Sequence, residues 1–130
     1  MDERMKIHGA FSWVELMTTD VAGAKKFYGE LLGWHLEDNP MEGTGQDYVV
    51  CKAGDHTAGG MMAMPAQAQG VPPHWGAYVT VDDVDAAATK AVELGGKVIV
   101  PPTDIPKVGR FSTLLDPQGA AFSVIQYVQD

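Results

Sequence analysis

The sequence contains one cysteine, Cys51, and few basic residues. One thiol cannot form an internal disulfide, so a reducing, cytoplasmic location is expected. Nine lysines and arginines stand against 17 aspartates and glutamates, and the formal charge of −8 would repel nucleic acids and anionic membrane surfaces. No apolar run approaches the roughly 20 residues of a membrane-spanning helix, and the first residues, MDERMKIHG, lack the apolar segment of a signal peptide. We therefore expect neither nucleic acid nor a membrane as a partner.

What is present is typical of one globular domain spanning residues 1–130. The hydrophobic content is 45% and the charged content 20%, so a chain of 130 residues can bury a core of its own. No phosphate-cradling glycine loop, dinucleotide fingerprint or nucleophile elbow occurs. Those absences exclude the commonest nucleotide-binding and serine-hydrolase motifs.

The stretch from Trp13 to Trp34 predicts a strand, a capped helix and a second strand. Asp20 can accept a hydrogen bond from an unpaired amide of the first helical turn, and Gly33 can adopt the positive φ that ends a helix. Residues at helical spacing predict the inward face, namely Val21, Ala24, Phe27, Tyr28 and Leu31.

The same order of elements recurs 63 residues later. At this offset the capping residue Asp20 matches Asp83, and Gly33 matches Gly96. The pattern predicts a βαβββ module at about residues 8–64, a linker at 65–73 and a second module at about 74–128. Within the modules it predicts strands at 34–37 and 97–100 followed by loops at 38–47 and 101–109. The predicted inward face of the second helix comprises Val84, Ala87, Ala88, Ala91 and Leu94.

One module of this size is too small to cover both faces of its sheet. We therefore predict an α+β fold in which the two βαβββ modules form a curved mixed sheet with a central cleft. A cleft of this kind is where a ligand would bind.

Two segments carry a resemblance to a known family. The helix DVAGAKKFYGELLGW and the turn DPQGAAFS resemble those of the vicinal oxygen chelate superfamily, which includes glyoxalase I, extradiol dioxygenases, methylmalonyl-CoA epimerase, and the fosfomycin and bleomycin resistance proteins. The resemblance extends from about Phe11 to Gln126 and implies the duplicated fold. It also implies a homodimer, since paired chains in this family commonly complete the cleft or bury an open sheet edge.

Metal-using members of the superfamily place one ligand in the first strand and one in the last strand of each module. Those places fall here on Trp13, Gly60, Gly76 and Ser123. Indole and glycine offer no metal-binding atom and a serine hydroxyl is a weak ligand, so no divalent metal or other cofactor is expected. An alignment shifted by two positions would instead place Glu15 and His74 there as ligands, and this alternative stays open.

Two residues are candidates for catalysis. Glu15 follows Trp13 by two positions, shares its inward face, and could serve as a general base. Alternatively, Glu15 is half exposed at a strand end, or anchors the structure by pairing with Arg110. His74 could act as acid, base or hydrogen-bond donor if the strand extends that far. Otherwise it is a loop histidine after two prolines.

Further residues would shape a ligand site. Arg110 could hold a carboxylate at the cleft mouth, or form a structural ion pair with an acid such as Glu15 or Asp47. Cys51 lies mid-strand and is expected to be a buried structural thiol. The predicted ligand-binding residues are Trp13, Met17, Met62, Tyr78, Thr80, Arg110 and Ser123. They suit a small, partly aromatic or amphipathic organic molecule.

Three functions follow from the residues and the resemblance. The first is a glyoxalase-like protein that binds a small organic molecule and acts as a lyase or isomerase, similar to lactoylglutathione lyase, without the family's metal. The second is a non-catalytic protein that sequesters a compound, as the bleomycin resistance proteins do. The third is a metal-dependent glyoxalase or dioxygenase with Glu15 and His74 as ligands.

Overall fold

The computed structural model describes residues 3–41, 45–64 and 71–128. It contains two α-helices and eight strands in the predicted order, after a short 3₁₀ helix at Glu3–Met5, which confirms the α+β class and the duplicated βαβββ arrangement. The elements are β1 (Phe11–Thr18), α1 (Val21–Leu32), β2 (His35–Pro40), β3 (Asp47–Ala53), β4 (His56–Ala63), β5 (His74–Thr80), α2 (Val84–Glu93), β6 (Lys97–Ile105), β7 (Gly109–Leu115) and β8 (Ala121–Tyr127). Within the described residues, neither helix is long and apolar enough to cross a membrane.

The chain divides into two compact units. The N-terminal unit runs from Val14 to Trp75, and the C-terminal unit combines the residues up to Trp13 with those from Gly76 onward. The strand order is β2-β3-β4-β1 in the first unit and β5-β8-β7-β6 in the second. The segment before β1 therefore associates with the second half of the sequence, although it precedes the first. The single domain over residues 1–130 stays a prediction.

The two units use the same strand registers. The parallel pair β1 and β4 places Glu15 beside Gly60, and the parallel pair β5 and β8 places Tyr78 beside Ser123. Both residues of the second pair are 63 positions after those of the first. The sequence repeat is thus a repeat of backbone pairing as well.

Both helices begin at the predicted caps. The Asp20 carboxylate accepts a hydrogen bond from the Gly23 amide at 2.9 Å, and the Asp83 carboxylate accepts one from the Ala86 amide at 3.1 Å. Gly33 ends α1 with φ +70°. After α2 the residue in the left-handed conformation is Gly95, with φ +96°. The offset of 63 predicts this conformation one residue later, at Gly96. The second helix is accordingly shorter.

Each unit has its own core between its helix and its sheet. The N-terminal core comprises Leu16, Val49, Cys51 and Met61, against which Val21, Ala24 and Tyr28 of α1 pack. The C-terminal core comprises Val81, Val84, Ala88, Leu114 and Val124, with Ala87 and Ala91 packed beside it. The predicted inward positions of Val84, Ala87, Ala88 and Ala91 are confirmed.

Three of the predicted inward residues are exposed instead. Phe27 is 58% exposed, Leu31 63% and Leu94 68%. Helix α1 packs on its sheet through Val21, Ala24 and Tyr28. Phe27 and Leu31 lie to one side of these residues on the helix surface. Leu94 follows the last helical residue, Glu93, so helical spacing no longer governs its direction.

Two predicted loops are partly strands. Strand β2 continues to Pro40, and β6 continues through Pro101 and Pro102 to Ile105. Both are edge strands of their units, where a proline can replace a residue whose N–H would face no neighbouring strand. The β6–β7 register shifts on either side of Val100, which is how the prolines are accommodated. Of the predicted linker, residues 65–70 lie outside the described residues.

Candidate functional site

A buried carboxylate and a phenol form the centre of the candidate site. Glu15 lies within β1 and is 6% exposed, so it is not the half-exposed strand-end residue of the alternative prediction. The Tyr48 hydroxyl, from β3, donates a hydrogen bond to Glu15 Oε2 at 2.7 Å. A hydrogen bond from a hydroxyl to a carboxylate is short and strong when the acceptor is ionised.

A glycine on the intervening strand brings these two side chains together. Gly60 on β4 pairs with Glu15 on one side and with Val50 of β3 on the other. A Cβ atom at Gly60 would overlap the phenol of Tyr48. The ring therefore lies directly over Gly60, where the resemblance places a metal ligand, and its hydroxyl extends to the neighbouring strand.

The sequence analysis did not identify Tyr48. The sequence nevertheless contains an indication of its position. Tyr48 and Val50 are two residues apart on β3 and therefore lie on the same face, and Val50 pairs with Gly60. Recognising it required the strand register, which fixes which residues lie side by side. The spacing of residues along the chain does not show which residues of different strands lie side by side.

Apolar side chains accompany the pair. Met17 and Met62 are adjacent in the register of β1 and β4, and both are partly buried. Each follows Glu15 or Gly60 by two residues, so both side chains lie on the same face as the carboxylate. Trp13, earlier on β1, is also partly buried. Ligand binding by Trp13, Met17 and Met62 stays a prediction.

His74 begins β5 and is partly buried. Its ring Nδ1 lies 2.8 Å from the carbonyl oxygen of Pro72. The strand therefore extends as far as His74, which is not the loop histidine of the alternative prediction. The catalytic role of His74 stays a prediction.

In the C-terminal unit, the positions equivalent to Glu15 and Gly60 are Tyr78 and Ser123, which are 4% and 6% exposed. The Ser123 hydroxyl lies 2.8 Å from the Thr113 hydroxyl. The Tyr78 ring is 6.3 Å from that of Phe111, centroid to centroid. This unit thus carries neutral hydroxyls where the first carries a carboxylate.

Thr80 connects β5 to the segment before β1. Its hydroxyl lies 2.8 Å from the carbonyl oxygen of Arg4 and 2.8 Å from the Ser12 hydroxyl, which in turn lies 2.8 Å from the Tyr127 hydroxyl. These hydroxyl contacts hold the N-terminal segment against the C-terminal unit. Ligand binding by Thr80 stays a prediction.

Arg110 forms a structural ion-pair network with partners other than those predicted. Its Nε and Nη2 atoms donate to the Asp85 carboxylate at 2.9 and 3.0 Å, and Nη1 donates to Asp104 at 2.9 Å. The hydrogen bond from Arg110 holds the pKa of the Asp85 carboxyl below its ordinary value of 3.8. The predicted pairing with Glu15 or Asp47 is therefore replaced by pairing with two acids of the same unit.

Cys51 is fully buried in the N-terminal core, which confirms the structural role predicted for it. Burial raises the pKa of its thiol to about 11. A thiol with that pKa stays protonated at neutral pH, and the thiolate is the reactive form. The residue therefore has the environment of a core side chain.

A groove of about 530 Å³ runs along α2, with Ala87, Ala91 and Phe122 in its lining. Neighbouring residues of a strand point to opposite faces, so Phe122 and Val124 face the helix while Ser123 faces away from it. The groove consequently lies on the helix side of this sheet. It is separate from the face that carries Tyr78 and Ser123.

The residues do not fit the divalent metal that the resemblance implies. Among residues 3–41, 45–64 and 71–128 there is no group of three or more His, Cys, Asp or Glu side chains arranged to hold a metal ion. Glu15 and His74, the alternative ligand pair, belong to no such group there. At Gly60 the ligand position is filled by the Tyr48 ring. We therefore derive no chemistry from a metal.

Comparison with known proteins identifies the class. The profile of the Glyoxalase/Bleomycin resistance protein/Dioxygenase superfamily matches residues 10–124. The chain belongs to this superfamily, as its helix and turn motifs predicted.

Curated relatives include the Mycobacterium bovis protein named "Putative glyoxylase CFP32", 44% identical over 119 residues, which cover 91% of this chain and 46% of the relative. The anthracycline biosynthesis protein DnrV of Streptomyces peucetius is 38% identical over 135 residues, covering 92% of this chain and 42% of its own length. The chain thus spans less than half the length of these relatives.

Solved structures share the fold at low sequence identity. Methylmalonyl-CoA epimerase from Mycobacterium tuberculosis has a TM-score of 0.63 at 16% identity, covering 93% of this chain and 89% of the epimerase. An extradiol ring-cleaving dioxygenase from B. fuscum has a TM-score of 0.61 at 18% identity, covering 95% of this chain and 33% of the dioxygenase chain. At these identities the likeness establishes the fold alone.

Proposed function

We propose that this domain binds a small organic molecule and acts on it as a lyase or isomerase, with Glu15 as the general base and without a divalent metal. The observation that carries the proposal is the buried Glu15 carboxylate, fixed by the Tyr48 hydroxyl at 2.7 Å. A carboxylate with a defined orientation can remove a proton from carbon next to a carbonyl group, which is the step that glyoxalase-type isomerisation requires.

The surroundings of Glu15 support an amphipathic substrate. Met17 and Met62 lie on the same face and provide apolar contact area, while the carboxylate and phenol provide the polar groups. A few polar groups within an apolar surface are typical of small-molecule sites. The relatives named as glyoxylase and as an anthracycline biosynthesis protein are consistent with small carbonyl or polycyclic substrates.

A second candidate is a non-catalytic protein that sequesters a cationic compound. The net charge of −8 favours it, because a strongly acidic protein attracts cations and accelerates their binding. In this case Glu15 would pair with the cationic group of the ligand and perform no proton transfer.

Replacing Glu15 by Gln distinguishes these two functions. The probe is a substrate panel that begins with the hemithioacetal of methylglyoxal and glutathione, and the control is Glu30→Gln on the exposed part of α1. For an enzyme, Glu15→Gln should lower kcat by about 100-fold or more while the control retains activity. If Glu15→Gln retains the wild-type kcat, Glu15 is not the base. If the wild type binds panel compounds without turnover, sequestration is correct.

Elemental analysis of protein purified without chelator tests the metal-free mechanism. We expect far less than one equivalent of zinc, nickel, manganese or iron per chain. About one equivalent that survives dialysis would contradict the proposal and support a metal-dependent glyoxalase or dioxygenase.

We also propose that two copies of the domain associate as a homodimer. Leu31 and Leu32 on α1 are 63% and 51% exposed, and Phe27 beside them is 58% exposed. An exposed cluster of large apolar side chains is typical of an interaction surface. Light scattering should give twice the monomer mass for the wild type and the monomer mass for Leu31→Glu. A monomeric wild type at micromolar concentration would refute the dimer.

A further inference from the structure

We infer that Tyr48 is the positioning residue of the site: its hydroxyl holds Glu15 in one rotamer, and it can do so only because residue 60 is glycine. This inference rests on the proposed role of Glu15 as base. It adds a residue and a steric requirement that neither the motifs nor the resemblance contains.

The first step is the geometry of the pair. The Tyr48 hydroxyl donates to Glu15 Oε2 at 2.7 Å, across the strand that separates β3 from β1. Glu15 is 6% exposed and Tyr48 is partly buried, so this hydrogen bond is partly shielded from water, which strengthens it. A glutamate side chain has three rotatable bonds, and a fixed donor restricts them.

The second step is the requirement for glycine. The Tyr48 ring occupies the space that a Cβ atom at Gly60 would need. Any larger residue at this position would displace the ring and separate its hydroxyl from Glu15. The glycine at residue 60 and the tyrosine at residue 48 are thus sterically linked.

The third step is the comparison with the equivalent place in the C-terminal unit. There Phe111 corresponds to Tyr48, Tyr78 to Glu15 and Ser123 to Gly60. The residue at the register position of Tyr48 is therefore a phenylalanine without a hydroxyl, and the residue at the position of Gly60 is a serine that carries a Cβ atom. The C-terminal unit, which has no carboxylate at the position of Glu15, thus lacks both the tyrosine at the position of Tyr48 and the glycine at the position of Gly60.

The inference is tested by the rotamer distribution of Glu15 in solution. Three-bond NMR couplings about the Cα–Cβ and Cβ–Cγ bonds report it in protein with labelled glutamate, using Glu15→Gln to assign the resonances. We expect one rotamer in the wild type and averaged couplings in Tyr48→Phe. The matched control is Tyr127→Phe, which removes a phenol hydrogen bond of 2.8 Å to Ser12 in the other unit and should leave Glu15 in one rotamer. Wild-type couplings in Tyr48→Phe would overturn the inference.

Gly60→Ala tests the steric requirement separately. It should produce the same averaging although Tyr48 is present, whereas Gly29→Ala should not, because a Cβ atom at Gly29 would meet its nearest neighbour, Leu36 Cδ1, at 3.5 Å. A Gly60→Ala protein with wild-type couplings would refute the requirement for glycine. If Gly60→Ala does not fold, Tyr48→Phe decides the role of the hydroxyl.

Kinetics on a substrate found with the panel separates this inference from the proposed function. A positioning role predicts that Tyr48→Phe lowers kcat roughly 10- to 100-fold with KM nearly unchanged. An unchanged kcat would contradict positioning even if Glu15→Gln is inactive. Conversely, an active Glu15→Gln would refute Glu15 as base, while the couplings would still report whether Tyr48 orders it.

Discussion

The two units of this protein have the same backbone plan and different chemistry. Their parallel strands pair in equivalent registers, Glu15 with Gly60 and Tyr78 with Ser123, and their helices begin at equivalent aspartates. Yet the first unit presents a carboxylate and a phenol, and the second presents neutral hydroxyls. Backbone pairing constrains the pattern of alternation and leaves the identity of side chains on the sheet face opposite the helix free to change.

The cores show a related difference. In the N-terminal unit the small residue Cys51 is on β3 and the large residue Met61 on β4, whereas in the C-terminal unit Leu114 on β7 is the larger and Val124 on β8 the smaller. The larger side chain of the pair thus lies on the last strand of the N-terminal module and on the third strand of the C-terminal module, and both cores are filled. Volume-conserving exchanges of this kind are the ones that protein cores tolerate best.

The largest expected effect concerns these matched core positions. Leu114→Ala removes a side chain that is 2% exposed and should lower the free energy of unfolding by about 2–5 kcal/mol. The equivalent Cys51→Ala removes a single buried sulfur and should cost about 1 kcal/mol. Urea unfolding monitored by tryptophan fluorescence measures both. Equal losses would show that the two cores do not differ as described.

The helix caps should contribute equally in the two units. Asp20→Ala and Asp83→Ala each remove an acceptor of a first-turn amide and should each lower the free energy of unfolding by about 1 kcal/mol. Asn in place of either aspartate keeps the acceptor oxygen and serves as control, with little loss expected. Thermal unfolding measures both losses of stability. A large loss for one variant and none for the other would show that the two caps do not contribute equally.

The smallest expected effect concerns the ion pair between Arg110 and Asp85, whose equivalent positions in the N-terminal unit are Asp47 and Ala22. Arg110 lowers the pKa of Asp85 in the folded protein, so the pair stabilises the fold above the ordinary aspartate pKa of 3.8. That stabilisation is lost as pH falls through the lower, folded-state pKa. The stability difference between wild type and Arg110→Met should therefore be constant near neutral pH and should shrink in acid. Acid unfolding curves check this, and a difference that grows in acid would contradict it.

Local features of the sequence were sufficient for most of the architecture. The caps Asp20 and Asp83, the helix-ending Gly33 and the offset of 63 predicted the repeated elements. The errors fall where local rules are ambiguous. The sequence predicts loops at Pro40 and Pro101, whereas both lie in edge strands, which tolerate proline.

The candidate site was only partly predictable. Glu15 was found because alternation along β1 places it two residues from an expected ligand position. Tyr48 was missed because its contact depends on how three strands align, and 33 residues separate it from Glu15. For Arg110 the sequence left open a ligand carboxylate and a structural ion pair, and its partners Asp85 and Asp104 lie on a helix and an edge strand, which only folding brings together.

The sequence by itself determined the duplicated order of elements, because caps, turns and periodicity each depend on residues that are close together along the chain. The tertiary structure decided which side chains meet: the Tyr48 phenol over Gly60 and against Glu15, and the exposure of Phe27 and Leu31. The physical reason is that such contacts depend on strand register and helix placement. A shift of one residue in either would turn the same side chains to another face.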